Sequence, residues 1–201
     1  MISTSILKLQ NDSEKIKVIN KSETDMIHFD VMDGIFVSNK TRYDKLPFLT
    51  KPVDIHLMVE DVRTYVDKFM YLKPNSITFH LEIHDDINKI ISYIKEKNIK
   101  VGIAIKPETK VEELHPYLDQ IDLVLVMTVS PGAGGQPFMK EMIPKVKELR
   151  KLQQKHHFQI EVDGGINDKT IKLCDADIYV VGSYITNSDY PNEIIKYLKS
   201  I

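Results

Sequence analysis

Residues 53–81 read VDIHLMVEDVRTYVDKFMYLKPNSITFHL, and this stretch contains a complete strand-helix-strand unit. Both of its ends are short runs rich in apolar and β-branched residues, which are typical of buried strands. Between them Val62, Val66 and Phe69 recur at spacings of four and three, which indicates the apolar face of a helix. The order of these elements predicts two parallel strands joined by a crossover helix.

The same unit recurs along the chain, with further helical periodicity in residues 87–94 and 143–152. We predict eight strands: Ser3–Leu7, Met26–Met32, Val53–Val59, Ser76–Leu81, Lys100–Lys106, Leu123–Val129, Gln159–Asp163 and Ile178–Val181. Eight such units indicate an α/β fold of the (β/α)8 TIM barrel type, a compact single domain over residues 1–201. The connection through residues 38–50 is the weakest, because it shows little helical periodicity.

A doubly wound parallel sheet is the alternative fold. It normally carries a glycine-rich phosphate turn after its first strand. Here the corresponding residues are Leu7-Lys8-Leu9-Gln10, which include no glycine. The barrel is therefore the preferred prediction.

The composition is that of a soluble globular protein, with 42% hydrophobic and 28% charged residues, and it excludes a disordered chain. The formal net charge of −2 gives no general attraction to nucleic acid or to acidic membranes. The most apolar stretch, residues 123–129, is far shorter than the ~20 residues of a membrane span. The N-terminus lacks a secretory pattern, and the single cysteine, Cys174, cannot form an internal disulfide. We therefore expect a cytoplasmic protein without nucleic-acid or membrane partners.

Polar residues alternate along four of the predicted strands, and residues two apart in a strand share one face. These sets are His28, Asp30 and Met32 in the second strand; Asp54, His56 and Met58 in the third; Thr78, His80 and Glu82 in the fourth; Glu161 and Asp163 in the seventh. We expect all of them in the C-terminal halves of their strands, where a barrel of this kind builds its active site.

Buried imidazoles and carboxylates cost free energy unless they are paired. We interpret His28, Asp30, His56 and Asp163 as ligands of one divalent metal ion. Zinc, iron(II), manganese and cobalt all suit this set. A lone histidine on an apolar strand is more often an ordinary core residue, but H-x-D, D-x-H and E-x-D at three strand ends favour the metal site. We expect a structural or supporting role for three more carboxylates: Asp54, Glu82 and Glu161.

Glycines are concentrated after the last three strands. Of eight in the chain, six fall there: Gly132, Gly134, Gly135, Gly164, Gly165 and Gly182. Such loops expose backbone N–H groups, as phosphate binding requires, and barrels often bind phosphate after strands seven and eight. The chain has only three arginines, so an anion site must use lysine or backbone N–H groups. The alternative, that these are only tight turns, is weaker for three successive loops.

Seven stretches carry a resemblance to a known family. They are SIL at 5–7, HFDVMDGIFV at 28–37, DIHLMV at 54–59, FHLE at 79–82, MTVSPGAGGQPF at 127–138, EVDGGIN at 161–167 and GS at 182–183. In this order they resemble the ribulose-phosphate 3-epimerase family. The H-x-D-V-M-D-G and D-x-H-L-M-V blocks together are highly specific, whereas a lone D-G-G would not be.

The resemblance implies a metal-dependent isomerase of the pentose phosphate pathway that interconverts D-ribulose 5-phosphate and D-xylulose 5-phosphate. It implies that Asp30 and Asp163 transfer the protons and, with His28 and His56, hold the metal. The implied substrate contacts are Ser5, His56, Gly132, Ala133, Gly134, Gly135, Gly164, Gly165, Gly182 and Ser183, and the implied lining residues are Met32, Met58 and Met127. Members are commonly oligomeric, so a homo-oligomer is expected.

Two alternatives remain open from the sequence. One is a D-allulose-6-phosphate 3-epimerase with the same machinery and a longer sugar, although Gly165-Ile166-Asn167 looks more like the pentulose enzyme. The other is a non-catalytic sugar-phosphate-binding barrel, against which the intact aspartates and histidines argue. The chain also departs from the family pattern at four places: Lys8-Leu9 after the first strand, Ser38, Ser130, and Ala133 in place of an aromatic residue. These departures concern substrate fit and loop behaviour.

Overall fold

A computed structural model describes residues 1–42 and 46–201 of the chain. Eight parallel strands follow one another in sequence order and close into a barrel, which confirms the predicted fold. The strands are β1 Ile2–Ser5, β2 Met26–Met32, β3 Val53–Met58, β4 Ser76–His80, β5 Lys100–Ile105, β6 Leu123–Met127, β7 Gln159–Asp163 and β8 Ile178–Val181. The barrel closes where β1 pairs with both β2 and β8. That residues 1–201 form a single domain stays a prediction.

The described part of the chain contains six α-helices, four of them between consecutive strands and two after β8. They are α1 Ser13–Lys21, α2 Val62–Phe69, α3 Ile87–Lys95, α4 Ile143–Leu152, α5 Ser183–Thr186 and α6 Pro191–Lys199. In α2 the predicted apolar face, Val62, Val66 and Phe69, is buried. Three of the helices are N-capped by an aspartate. In each case the aspartate side chain accepts a hydrogen bond from the backbone N–H three residues later: Asp12, Asp61 and Asp86.

Two connections contain only short 3-10 turns in place of a crossover helix. After β5 these are Val111–Leu114 and Leu118–Gln120, and after β7 the turn is Ile171–Leu173. Within the described residues between β2 and β3 there is no helix, as the weak periodicity of residues 38–50 indicates; residues 43–45 of that segment lie outside the described part. In the described part of the chain, these connections therefore lack the α-helix of a regular β/α unit.

The apolar core has two parts. The larger part lies between the barrel wall and the helices, and it includes the single cysteine, Cys174, which is free and buried. The smaller part fills one side of the barrel interior with Met26, Ala104, Leu123, Leu125, Met127, Val129 and Ile178. The rest of the interior holds buried polar side chains, which include His28, His56 and Glu161. None of the helices in the described part of the chain is long and apolar enough to cross a membrane.

Candidate active site

A cavity of about 770 Å³ opens at the C-terminal ends of the strands. Asp30 and Asp163 reach it from the barrel interior, and the loops after β6, β7 and β8 form one side. The predicted site residues that line it are Ser5, Asp30, Met32, Met58, Met127, Gly132, Ala133, Gly134, Gly135, Asp163, Gly164, Gly165, Gly182 and Ser183. His28 and His56 lie fully buried beneath it. His56 is not among the residues that line the cavity, so its contact with substrate stays a prediction.

Four side chains bring one ligand atom each to a common point. His28 Nε2 lies 3.3 Å from Asp30 Oδ1 and 3.9 Å from Asp163 Oδ2. His56 Nδ1 lies 3.2 Å from the same Asp30 oxygen and 3.9 Å from the same Asp163 oxygen. All four atoms lie within 4.8 Å of one another, so the residues predicted to hold a metal do converge.

The remaining atoms of three of these side chains are anchored by neighbours. His28 Nδ1 lies 2.7 Å from Asp54 Oδ2, and Ser5 Oγ donates to Asp30 Oδ2 at 2.9 Å. His56 Nε2 lies 2.9 Å from His80 Nε2. Such outer contacts fix the ring orientation and tautomer of a metal-ligating histidine. They leave His28 Nε2 and His56 Nδ1 as the nitrogens that face the common point.

The environment of His28 fits a cation at this point. Its Nε2 is buried and has no hydrogen-bond partner among the described residues. Despite burial, which lowers it, the pKa of His28 is raised well above its ordinary value by the charges of Asp30 and Asp54. The surrounding carboxylates therefore favour a positive charge at Nε2, and a divalent ion with two nitrogen and two oxygen ligands would supply it. The cluster is able to hold a metal ion.

The two aspartates of the cluster differ in acidity. Burial raises the pKa of Asp30, but His28 and His56 outweigh burial and hold it far below its ordinary value. Burial and the nearby charge of Asp30 raise the pKa of Asp163 to about 6. Two carboxyl groups whose pKa values are pushed apart in this way are typical of acid and base partners.

His80 has no assigned role in the sequence analysis, whereas Glu82 was expected in a supporting role. His80 Nδ1 lies 3.0 Å from Glu82 Oε2, and Glu82 Oε1 accepts hydrogen bonds from Lys106 N and Thr109 Oγ1. Burial lowers the pKa of His80 to about 4, so His80 is neutral at pH 7 and can accept from His56. The H-x-E spacing at the end of β4 matches the H-x-D of β2, and it could have marked His80 as an orienting residue.

The positions of His28 and Asp54 along their strands correct the prediction that all members of these sets lie in the C-terminal halves. His28 is the third of the 7 residues of β2. Asp54 is the second residue of β3, not in its C-terminal half, and it lies below the cavity. Glu161 lies beside it, with Oε1 3.8 Å from His28 Nδ1. Burial and the charge of Asp54 raise the pKa of Glu161 well above its ordinary value. Asp54 holds His28 through its hydrogen bond, which fits the expected supporting role, whereas the Glu161 carboxyl oxygens have no hydrogen-bond partner among the described residues.

The loop after β7 needs glycine for two separate reasons. Gly165 has φ +66°, and a Cβ there would overlap the backbone of Phe138. Its carbonyl accepts a hydrogen bond from Thr170 Oγ1 at 2.9 Å, and Thr128 Oγ1 donates to the carbonyl of Gly164 at 2.7 Å. With their carbonyls fixed in this way, the N–H groups of this loop are left for other partners.

A known protein family matches most of this chain. The model of the ribulose-phosphate 3 epimerase family matches residues 1–186. The chain belongs to the ribulose-phosphate 3-epimerase family. This membership confirms the resemblance carried by the seven sequence stretches.

Relatives in the ribulose-phosphate 3-epimerase family align over nearly the whole chain. The ribulose-phosphate 3-epimerase of Bacillus subtilis is 36% identical over 196 residues, which cover 92% of this chain and 89% of that protein. The cytoplasmic isoform of Oryza sativa is 36% identical over 211 residues, which cover 99% and 90%. Relatives with this name are isomerases that act on carbohydrates, so the predicted enzyme class is confirmed.

Solved structures support the fold of this family member. A chain of tryptophan synthase from Mycobacterium tuberculosis superposes with a TM-score of 0.70 and 12% identity, covering 100% of this chain and 91% of that chain. At such low identity the likeness concerns the barrel fold alone.

The loop after β6 departs from the ribulose-phosphate 3-epimerase pattern at Ser130 and Ala133, and hydrogen bonds to its carbonyls hold it. Gln136 Nε2 donates to the carbonyls of Ser130 and Ala133 at 2.7 and 2.8 Å. Asn39 Nδ2, from the loop after β2, donates to the carbonyl of Gly132 at 2.7 Å. These hydrogen bonds tether the loop, and the small Ala133 side chain is exposed on it.

Proposed function

We propose that this chain catalyses the metal-dependent epimerisation of D-ribulose 5-phosphate to D-xylulose 5-phosphate at C3, a step of the pentose phosphate pathway. The observation that carries the proposal is the convergence of His28, Asp30, His56 and Asp163 on one point at the base of a cavity walled by glycine-rich loops. Family membership supports the pentulose phosphate as substrate.

The two aspartates supply the proton transfers in this proposal. Inversion at C3 requires removal of a proton next to the C2 carbonyl and return of a proton on the opposite face of a planar enediolate. Asp30 comes from β2 and Asp163 from β7, so their carboxyl groups approach from different sides of the ring of strands. Asp30 is the stronger acid and stays ionised, and Asp163, with its pKa raised to about 6, is suited to carry a proton near neutral pH. In the reverse reaction the two roles exchange.

The ligand set supports one divalent ion, zinc, iron(II), manganese or cobalt. Such an ion, when bound, supplies Lewis-acid stabilisation of the negative charge that develops on the substrate oxygens. The protein orients its own ligands through Asp54, His80 and Ser5. Met32, Met58 and Met127 give the cavity an apolar lining that excludes water from the reacting carbon.

Backbone groups hold the substrate phosphate in this proposal. The N–H groups of Gly134, Gly135, Gly165 and Ser183 line the cavity and donate to none of the described residues. A phosphate dianion has the oxygens to accept from several of them at once. This arrangement agrees with a chain that has few arginines.

The decisive experiment follows proton exchange at C3 of D-ribulose 5-phosphate in deuterated water, with and without added divalent metals. We expect deuterium at C3 in both pentulose phosphates when a suitable metal is present, and none with the Asp163→Asn variant. Exchange at another carbon, or no exchange with any of the four metals, would contradict the proposal.

Kinetics on a second sugar test the alternatives. A higher kcat/KM for D-allulose 6-phosphate would make the chain a hexulose-phosphate epimerase. Sugar-phosphate binding with no turnover and no bound transition metal would make it a non-catalytic binding barrel. The expectations of a homo-oligomer and of a cytoplasmic location belong to the same proposal; a relative is named a cytoplasmic isoform, and size-exclusion chromatography measures the oligomer.

A further inference from the structure

Lys8 lies against the glycine loop at which the proposed function places the phosphate. It belongs to the 3-10 turn Leu7–Leu9 that directly follows β1. Because β1 pairs with β8, this turn is the neighbour of the loop that carries Gly182 and Ser183. The position is also one where the chain departs from the family, which has small and polar residues after the first strand.

The Lys8 ammonium is positioned over the backbone of Gly135. A Cβ built on Gly135 would lie 2.8 Å from Lys8 Nζ, the nearest atom, and 3.5 Å from Ser183 Oγ. Gly135 has φ +86°, so this point of the loop carries no side chain that could separate the ammonium from the backbone. The Lys8 ammonium and the Ser183 hydroxyl thus lie beside the same glycine.

Nothing in the described part of the chain neutralises this ammonium. Lys8 is exposed, and its Nζ forms no ion pair or hydrogen bond with a described residue. It lines the cavity together with one other lysine, Lys140. The Lys8 side chain extends along this loop: its Cε lies 3.6 Å from a Cβ built on Gly134, where Leu7 Cδ2 is also close at 3.5 Å, and its Nζ lies nearest to Gly135.

We infer that Lys8 binds the phosphate group of the substrate and supplies a formal positive charge beside the neutral N–H groups of the glycine loop. The inference rests on the proposed function for the identity of the sugar phosphate. An ammonium donates charge-assisted hydrogen bonds to phosphate oxygens, and these are stronger than bonds from neutral donors. Lys8 would therefore set affinity for the dianion and leave the proton transfers at C3 unaffected.

The test compares the wild type with Lys8→Met and with Lys15→Met, a control that removes an exposed lysine from α1, outside the cavity. We expect Lys8→Met to raise KM for D-ribulose 5-phosphate about tenfold, with kcat changed less than about twofold, which is the pattern for loss of a contact present throughout the reaction. The kcat/KM of the wild type should fall more steeply with added salt than that of Lys8→Met. Lys15→Met should match the wild type, and Lys8→Arg should retain the salt dependence.

Calorimetric titration with inorganic phosphate separates this inference from the proposed function. We expect Lys8→Met to weaken phosphate binding about tenfold and Lys15→Met to leave it unchanged. If the wild type has no epimerase activity but Lys8→Met still weakens phosphate binding, the proposed function fails and the role of Lys8 stands. Equal phosphate affinity and equal KM in the wild type and Lys8→Met, or no phosphate binding by the wild type, would overturn the role of Lys8.

Discussion

Asp30 and Asp163 have the same side chain but different surroundings. Asp30 faces His28 and His56 and accepts from Ser5, whereas Asp163 faces the charge of Asp30 in a buried setting. We predict that Asp30→Asn and Asp163→Asn each lower kcat about a thousandfold or more, because asparagine keeps the shape but neither accepts the C3 proton nor offers a charged ligand. Steady-state turnover measures the loss, and thermal unfolding verifies that each variant folds. Normal turnover by either variant would contradict the two-aspartate mechanism.

We expect His80 to affect metal affinity through its hydrogen bond with His56. With His56 Nδ1 directed at the common point, its Nε2–H donates to His80, and His80 Nδ1–H donates to Glu82. His80→Leu removes the acceptor of a buried N–H, so we predict metal affinity to fall about 10- to 100-fold. Competition with a chromophoric chelator measures it. Glu82→Gln keeps an oxygen that can accept from His80 and should lose less affinity; an unchanged metal Kd in His80→Leu would contradict this orienting role.

At the scale of single elements, β5 shows how closely the barrel interior is packed. Gly102 lies in β5 beside Thr78 of β4 and Leu123 of β6, and a Cβ at Gly102 would overlap Thr78 Oγ1 and lie 2.8 Å from Leu123 Cδ2. We predict that Gly102→Ala lowers the free energy of unfolding by about 1–3 kcal/mol, because overpacking forces neighbouring side chains to move. Urea unfolding measures the change. The matched control is Gly182→Ala, whose Cβ would lie no nearer than 3.6 Å to its closest neighbour and should cost far less. Equal stability of the two variants would contradict the steric argument.

The elements were predictable from sequence where periodicity was strong. The strands and the helices α2, α3 and α4 follow alternating or three-and-four spacing closely. Five of the eight predicted strands run one or two residues past the observed C-terminal end, and the other three end where predicted. The 3-10 turns after β5 and β7 were not predictable, because their short apolar segments bury against the barrel without a helical repeat. The low position of Asp54 was predictable, because it is the second residue of the predicted strand as well as of β3; alternation alone gives only the face of a strand.

At the scale of the site as a whole, residue types along the strands identified the His/Asp cluster that is able to hold a metal ion, but its outer contacts depend on three-dimensional packing. The pair His56 and His80 comes from adjacent strands, and only the barrel brings the two Nε2 atoms together. The position of Lys8 over Gly135 joins the beginning of the chain to its last third, and no local pattern shows it.

Closure of the whole molecule depends on contacts at the opposite end of the barrel from the cavity. The β1–β8 seam is supported there by Asp177, whose carboxylate accepts hydrogen bonds from Ile160 N, Arg150 and Gln153 at 2.8 Å each. Its carbonyl accepts from the N-terminal amino group of Met1 at 2.8 Å. One carboxylate thus connects the beginning of β8 with β7 and α4, next to the point where the barrel closes.

We predict that Asp177→Asn lowers the free energy of unfolding by about 2 kcal/mol at pH 7, since it weakens three hydrogen bonds at one partly buried group. Burial alone raises the pKa of Asp177, but the bonds from Ile160, Arg150 and Gln153 outweigh burial and hold it below its ordinary 3.8. The contribution of the carboxylate is therefore fully present above about pH 4 and is lost as the pH falls through the lower folded-state value. Urea unfolding measures the free energy of unfolding at pH 7 and pH 3. The difference between wild type and variant should be smaller at pH 3.

The matched control is Asp175→Asn, because Asp175 also pairs with Arg150, at 3.1 Å, but its side chain is 78% exposed. Water screens such a pair, so this variant should remain close to the wild type at both pH values. If Asp177→Asn and Asp175→Asn were equally stable at pH 7, the ordered bonds around Asp177 would not hold the seam. If the difference in unfolding free energy between wild type and Asp177→Asn were the same at pH 3 as at pH 7, protonation of the wild-type carboxyl would make no difference. The effect would then come from altered packing.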